Sequence, residues 1–81
     1  MTAGLSIIKC KAGEKVRIIT IKTTDDKILH KLAVFGIFPG GELTILQIRP
    51  AYVLEIDHTQ LAIDRDLAKN IYVRKLLDEE V

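Results

Sequence analysis

Gly41 to Ile63, GELTILQIRPAYVLEIDHTQLAI, is the stretch on which the fold turns. Two runs rich in aliphatic and β-branched residues, Glu42 to Arg49 and Tyr52 to His58, read as strands joined tightly across Pro50-Ala51. Leu54 and Ile56 alternate with Glu55 and Asp57, the pattern of a strand with one wet face. Gln60 to Ile63 follows as a further short strand after a turn at His58-Thr59. Closely spaced short strands of this kind predict a mainly β domain.

Upstream, Val16 to Lys22 is a β-branched strand introduced by Gly13. Its alternation slips at Ile18-Ile19, so Val16 and Ile18 face one way and Ile19 and Ile21 the other, the mark of a bulge or a sharply coiled strand. Thr23-Thr24-Asp25-Asp26 reads as a helix start, with a threonine hydroxyl as cap and two acids at the positive end of the dipole. Ile28, Leu29, Leu32 and Phe35 form one apolar stripe, with Lys27, Lys31 and Val34 outside. Gly36 supplies the left-handed cap, so the helix spans Asp25 to Phe35. Ile37-Phe38-Pro39-Gly40-Gly41 is a turn carrying two large apolar residues.

Downstream, Asp64 caps a single helical turn through Lys69, with Asn70 as the stop. Ile71 to Arg74 is the last strand, with Ile71 and Val73 inward and Tyr72 outward. The expected architecture is mainly β: a small SH3-like barrel of about five short strands. One helix follows the first strand and one helical turn precedes the last. Residues 1–75 make one domain and 76–81 an acidic tail.

Composition narrows the function. Apolar residues make up 48% of the chain of 81, enough to fill a core without tryptophan. Twelve basic residues against 11 acidic ones, scattered along the chain, give no field of the kind a nucleic-acid binder needs. The run Leu32 to Phe38, broken by Gly36, is far short of the roughly 20 apolar residues that cross a bilayer, so no membrane insertion is expected. The N-terminus, Met1-Thr2-Ala3-Gly4, has no secretory pattern, and the lone Cys10 fits a reducing compartment, so the cytoplasm is the expected location.

Site chemistry is sparse. Cys10, His30, Asp57 and His58 are the candidate metal ligands, and none stands at ligand spacing from another. Asp57 and His58, read as strand neighbours, point to opposite faces. No cofactor is evident. Gly40-Gly41 precedes a strand rather than a helix N-terminus, so it is no phosphate cradle. His30 has no nearby acid or nucleophile in sequence, and Cys10 reads as a small packed residue, so no enzyme is expected. Binding remains. The candidate partner surface is Val34, Phe35, Ile37 and Phe38, at a helix end and its loop. Tyr52 and Tyr72, read as outward-facing, form a second patch.

Several of these signatures, taken in order, resemble the FeoA family. They are Gly13-Glu14 before an aliphatic strand, Leu32-Ala-Val-Phe-Gly36, Phe38-Pro39-Gly40, Leu54-Glu55-Ile56, Leu61-Ala62-Ile63, Ala68 and Ile71-Tyr72-Val73. The sequence departs from that family at Ala12, where proline is usual, and at Lys31, where arginine is common. The resemblance implies an accessory role in bacterial ferrous iron uptake. The implied partner is the cytosolic part of a FeoB-like transporter, with peripheral placement at the inner face of the membrane through it. Ferrous iron enters only by that association. Similar domains form the C-terminal module of metal-dependent transcriptional repressors, which makes a stand-alone regulatory domain the alternative. Weak homo-oligomerisation is the other partner state left open.

Overall fold

In the computed structural model, which describes residues 4–76, six strands form one antiparallel sheet in the order β1-β6-β2-β3-β4-β5. The strands are β1 (Leu5–Ser6), β2 (Lys15–Ile21), β3 (Glu42–Gln47), β4 (Tyr52–Ile56), β5 (Thr59–Ile63) and β6 (Ile71–Lys75). Helix α1 (Asp26–Val34) lies between β2 and β3, and the short α2 (Arg65–Ala68) between β5 and β6. This is the expected mainly β, SH3-like arrangement, with one strand more. The extra strand, β1, is two residues long and pairs with Val73 and Tyr72 of β6. A strand that short carries no alternation to read, and only its partner defines it. A 3₁₀ turn, Ile7–Lys9, follows it and is tied to α2 by the Ser6 hydroxyl, which donates to the Lys69 carbonyl at 2.9 Å.

The register explains the slipped alternation of the first long strand. β2 pairs with β6 through Ile18↔Val73 and then Thr20↔Tyr72, so Ile19 is the extra residue of a bulge and turns outward while Val16 and Ile18 stay buried. A second bulge lies in β3, where Ile45↔Leu54 is followed by Gln47↔Val53 and Leu46 is thrown outward. Each bulge adds local twist, which curls a sheet whose inner face holds Val16, Ile18, Leu43, Ile45, Leu54 and Val73.

The hairpin β4–β5 differs from its expected form. Ile56 pairs with Thr59, so the turn is Asp57-His58 and not His58-Thr59, and both turn residues have positive φ, 50° and 70°. That is the geometry of a two-residue primed turn, which twists with the strands. Aspartate tolerates the left-handed region, but without the usual glycine the turn is hard to recognise in sequence. Asp57 and His58 are therefore turn residues, not strand neighbours.

Helix α1 begins as its chemistry requires, with the cap moved by one residue type. Asp25, not a threonine, is the cap: its carboxylate accepts from the Lys27 amide at 2.9 Å, while Thr23 Oγ1 accepts from the Asp25 amide at 3.0 Å. Of the apolar stripe, Leu32 is buried and Ile28 packs against the core, whereas Leu29 and Phe35 stay exposed. Asp64 caps α2 as expected, accepting from Leu67 N–H at 2.8 Å. Apart from Leu76, the acidic tail lies outside the described residues.

Candidate functional site

The end of α1 closes in a Schellman motif. The Gly36 amide donates to the Ala33 carbonyl at 2.9 Å and the Ile37 amide to Leu32 at 2.9 Å, with Gly36 at φ 88°. In this motif the residue after the glycine turns back onto the last helical turn. Ile37 is accordingly buried, 1% exposed, in the same core as Leu32. The expectation that Ile37 belongs to the partner surface is corrected: the cap consumes it. Because a Cβ on Gly36 would meet open space, Gly36→Ala tests the backbone alone. It is expected to destabilise the fold by about 1 kcal/mol in urea denaturation, without clash.

Phe38 follows on a turn with Pro39 second and Gly40 third at φ 96°, closed by the Gly41 amide donating to the Phe38 carbonyl at 3.1 Å. The turn is fixed to β2 from both sides. Gly40 N–H donates to the Ile18 carbonyl and Ile18 N–H to the Gly41 carbonyl, each at 2.8 Å. Arg17 adds Nη1 to the Gly40 carbonyl at 3.2 Å and Nη2 to Glu42 Oε2 at 2.7 Å. That ion pair is half exposed and contributes little energy, but it orients the loop.

On this rigid support three apolar side chains stand in solvent: Val34 at 68%, Phe38 at 54% and Phe35 at 36% exposure. Val34 and Phe35 line a shallow groove along α1 with Lys27, His30 and Lys31. Phe38 lines a second groove with Gly36, Glu42 and Ile56. Three of the expected surface residues thus stand exposed around one helix end.

Tyr52 does not join them. It is 4% exposed and belongs to the core cluster, because strand parity places it on the same inner face as Leu54. Had the alternation that placed Leu54 and Ile56 been run back one step, Tyr52 would have fallen inward too. Tyr72 lies on β6, half-buried, with the Lys22 ammonium 4.4 Å from its ring centre. The two tyrosines form no common patch.

Among the described residues no three His, Cys, Asp or Glu side chains stand close enough to hold a metal ion together. Also among the described residues, no helix is long and apolar enough to cross a membrane. Cys10 is buried in the core cluster. Burial pushes its thiol above the ordinary range, the Glu14 carboxylate adds to this, and Lys75 partly opposes it. A raised thiol favours the protonated folded state. Its stabilisation is therefore complete below the ordinary thiol pKa and lost as pH rises through the raised value. Alkylation of Cys10 at pH 8 is expected to run at least about tenfold slower in the native protein than in denaturant, as followed by mass spectrometry.

The geometry can be set beside known proteins. The FeoA domain matches residues 6–75. An NMR structure of a FeoA-like protein from Clostridium acetobutylicum is 27% identical, covers 100% of this chain and 96% of its own, and superposes with a TM-score of 0.84. A crystal structure of the iron uptake regulatory protein FeoA is 23% identical, with a TM-score of 0.83 over 93% of this chain and 100% of that one. A manganese-dependent transcriptional repressor in complex with manganese shares the fold at 21% identity and a TM-score of 0.86, covering 94% of this chain but 38% of the repressor. No curated protein matches. With a family match spanning nearly the whole chain and the same fold in two FeoA structures, the chain belongs to the FeoA family.

Proposed function

We propose that this protein is a non-enzymatic accessory of bacterial ferrous iron uptake, docking on the cytosolic part of a FeoB-like transporter through Val34, Phe35 and Phe38. The observation that carries the reading is the exposure of these three apolar side chains around one helix end and the turn that follows it, which is pinned to β2. A rigid turn that presents a phenylalanine to water has no packing use for it, and aromatic anchors on preorganised loops are what interfaces are built around. Iron in this reading is the transporter's cargo. The protein works in the cytoplasm, at the inner face of the membrane when docked.

The test is an anaerobic calorimetric titration of this protein into the purified cytosolic domain of the cognate transporter, with and without guanine nucleotide. Saturable heat supports the reading. Flat titrations under both conditions would remove direct docking on that domain.

The alternative, a stand-alone domain acting with a metal-dependent repressor, is favoured by one observation: a manganese-dependent repressor carries the same fold within a longer chain. A repressor pulled down by this protein in place of the transporter would move the function to transcription.

A further inference from the structure

Among the described residues strand β5 is an edge of the sheet, paired only with β4. The two-residue turn at Asp57-His58 makes Ile56↔Thr59 a hydrogen-bonded pair, so Thr59, Leu61 and Ile63 spend their backbone groups on β4. The amides and carbonyls of Gln60 and Ala62 consequently point away from the sheet. Among the described residues neither takes part in any backbone hydrogen bond outside the strand ladders, and both residues are exposed. The strand itself, TQLAI, carries no charge, no proline and no bulge, so it has none of the features that keep an open edge from pairing.

The sequence on either side says what pairs with it. Asp57 and His58 precede β5, and Asp64 and Arg65 follow it. If two copies of β5 lie antiparallel about Leu61, Gln60 of each meets Ala62 of the other. Both pairs are then of the hydrogen-bonded kind, giving four backbone bonds across the two-fold axis. The same antiparallel arrangement sets the Asp57-His58 turn of one copy beside the Asp64-Arg65 helix start of the other, twice over, so that opposite charges face each other at both ends. All four side chains are exposed. Shifting the centre to Gln60 or to Ala62 takes the second hydrogen-bonding residue beyond the strand, so the register centred on Leu61 is the one that uses both.

We infer that β5 is a self-complementary edge through which two copies of this protein associate, antiparallel about Leu61, into a twelve-stranded sheet. The contact is small and polar at its rim, so the dimer is weak, concentration-dependent and weaker still at high salt. None of Val34, Phe35 and Phe38 lies on β5, so the contact uses none of them, although Asp57 at its rim also lines the groove beside Phe38.

Sedimentation of the full chain over a concentration series reaching about 1 mM, at low salt, tests this. The weight-average mass is expected to climb towards twice that of the monomer, and the amides of Gln60 and Ala62 to gain protection from exchange in parallel. Ala62→Pro removes an outward donor while sparing the β4 ladder and should leave a monomer throughout. Gln60→Lys, which places two ammonium groups at the axis without altering the backbone, should weaken association at least about tenfold and guards against misfolding of the proline variant. Arg65→Glu, tolerated at a helix start, should do the same by opposing Asp57. A single mass at every concentration would overturn the inference. So would a dimer that survives Gln60→Lys and Ala62→Pro with circular dichroism unchanged.

Discussion

Phe38→Ala should lose about thirtyfold or more in affinity for the transporter domain while leaving the fold as stable as before. The two halves of that result have separate causes. Phe38 is more exposed than buried, so truncating it opens no cavity, and the stability change should stay within about 0.5 kcal/mol. Its backbone, by contrast, is held by the Gly41 amide on one side and the Gly40–Ile18 pair on the other, so the ring is presented with little entropy left to lose on binding. A preorganised aromatic anchor is the residue type for which truncation at an interface costs about 2 kcal/mol or more, and that cost converts to the thirtyfold loss. Titration calorimetry reads the affinity and urea denaturation the stability. Equal affinity for wild type and variant would move the interface off this loop, whatever the transporter does.

The largest effect on stability is expected at Leu54. It is fully buried in β4, paired with Ile45 on one side and Leu61 on the other, so it sits where the two hairpins share their core. Leu54→Ala removes methyl groups that nothing nearby can replace without moving a strand, and substitutions of this kind cost about 2–5 kcal/mol. A domain of this size has a total stability of about 4–12 kcal/mol, so the variant should melt at least about 10 °C lower and unfold in part near body temperature. Leu46→Ala is the matched control. The bulge in β3 turns Leu46 out of the core, and its loss should fall within about 0.5 kcal/mol. If the two leucines cost the same in thermal melts, the bulge is not where the register places it.

These two experiments bear on different things that the chain's order of residues conveys. Alternation in β4 and β6, the slip at Ile18-Ile19, the Asp64 cap and the Gly36 stop are all local. Each follows from side-chain direction or from which residues tolerate a given φ, and each was legible. The helix stripe was legible only in part. Periodicity shows which residues share a face, but not how far the core extends towards it, and Leu29 and Phe35 lie beyond its reach. Tyr52 was misplaced by its hydroxyl, since a tyrosine reads as amphipathic until strand parity is allowed to decide.

What the sequence by itself determined is therefore the class of fold, the positions of its long strands and helix, and membership signatures spread over most of the chain. Val34, Phe35 and Phe38 were marked there as well, by an apolar excess that no turn needs. What only the tertiary structure decided is which of the marked residues stay in water. The Schellman cap turns Ile37 back onto Leu32, and β4 carries Tyr52 inside, while Val34, Phe35 and Phe38 stay at the surface. β1 and the open edge of β5 belong to the same category. A two-residue strand exists only by pairing with β6, and an edge exists only once every other strand has found its neighbour. Burial and pairing are relations between residues far apart in sequence, and the local preferences that make strands and helices do not encode them.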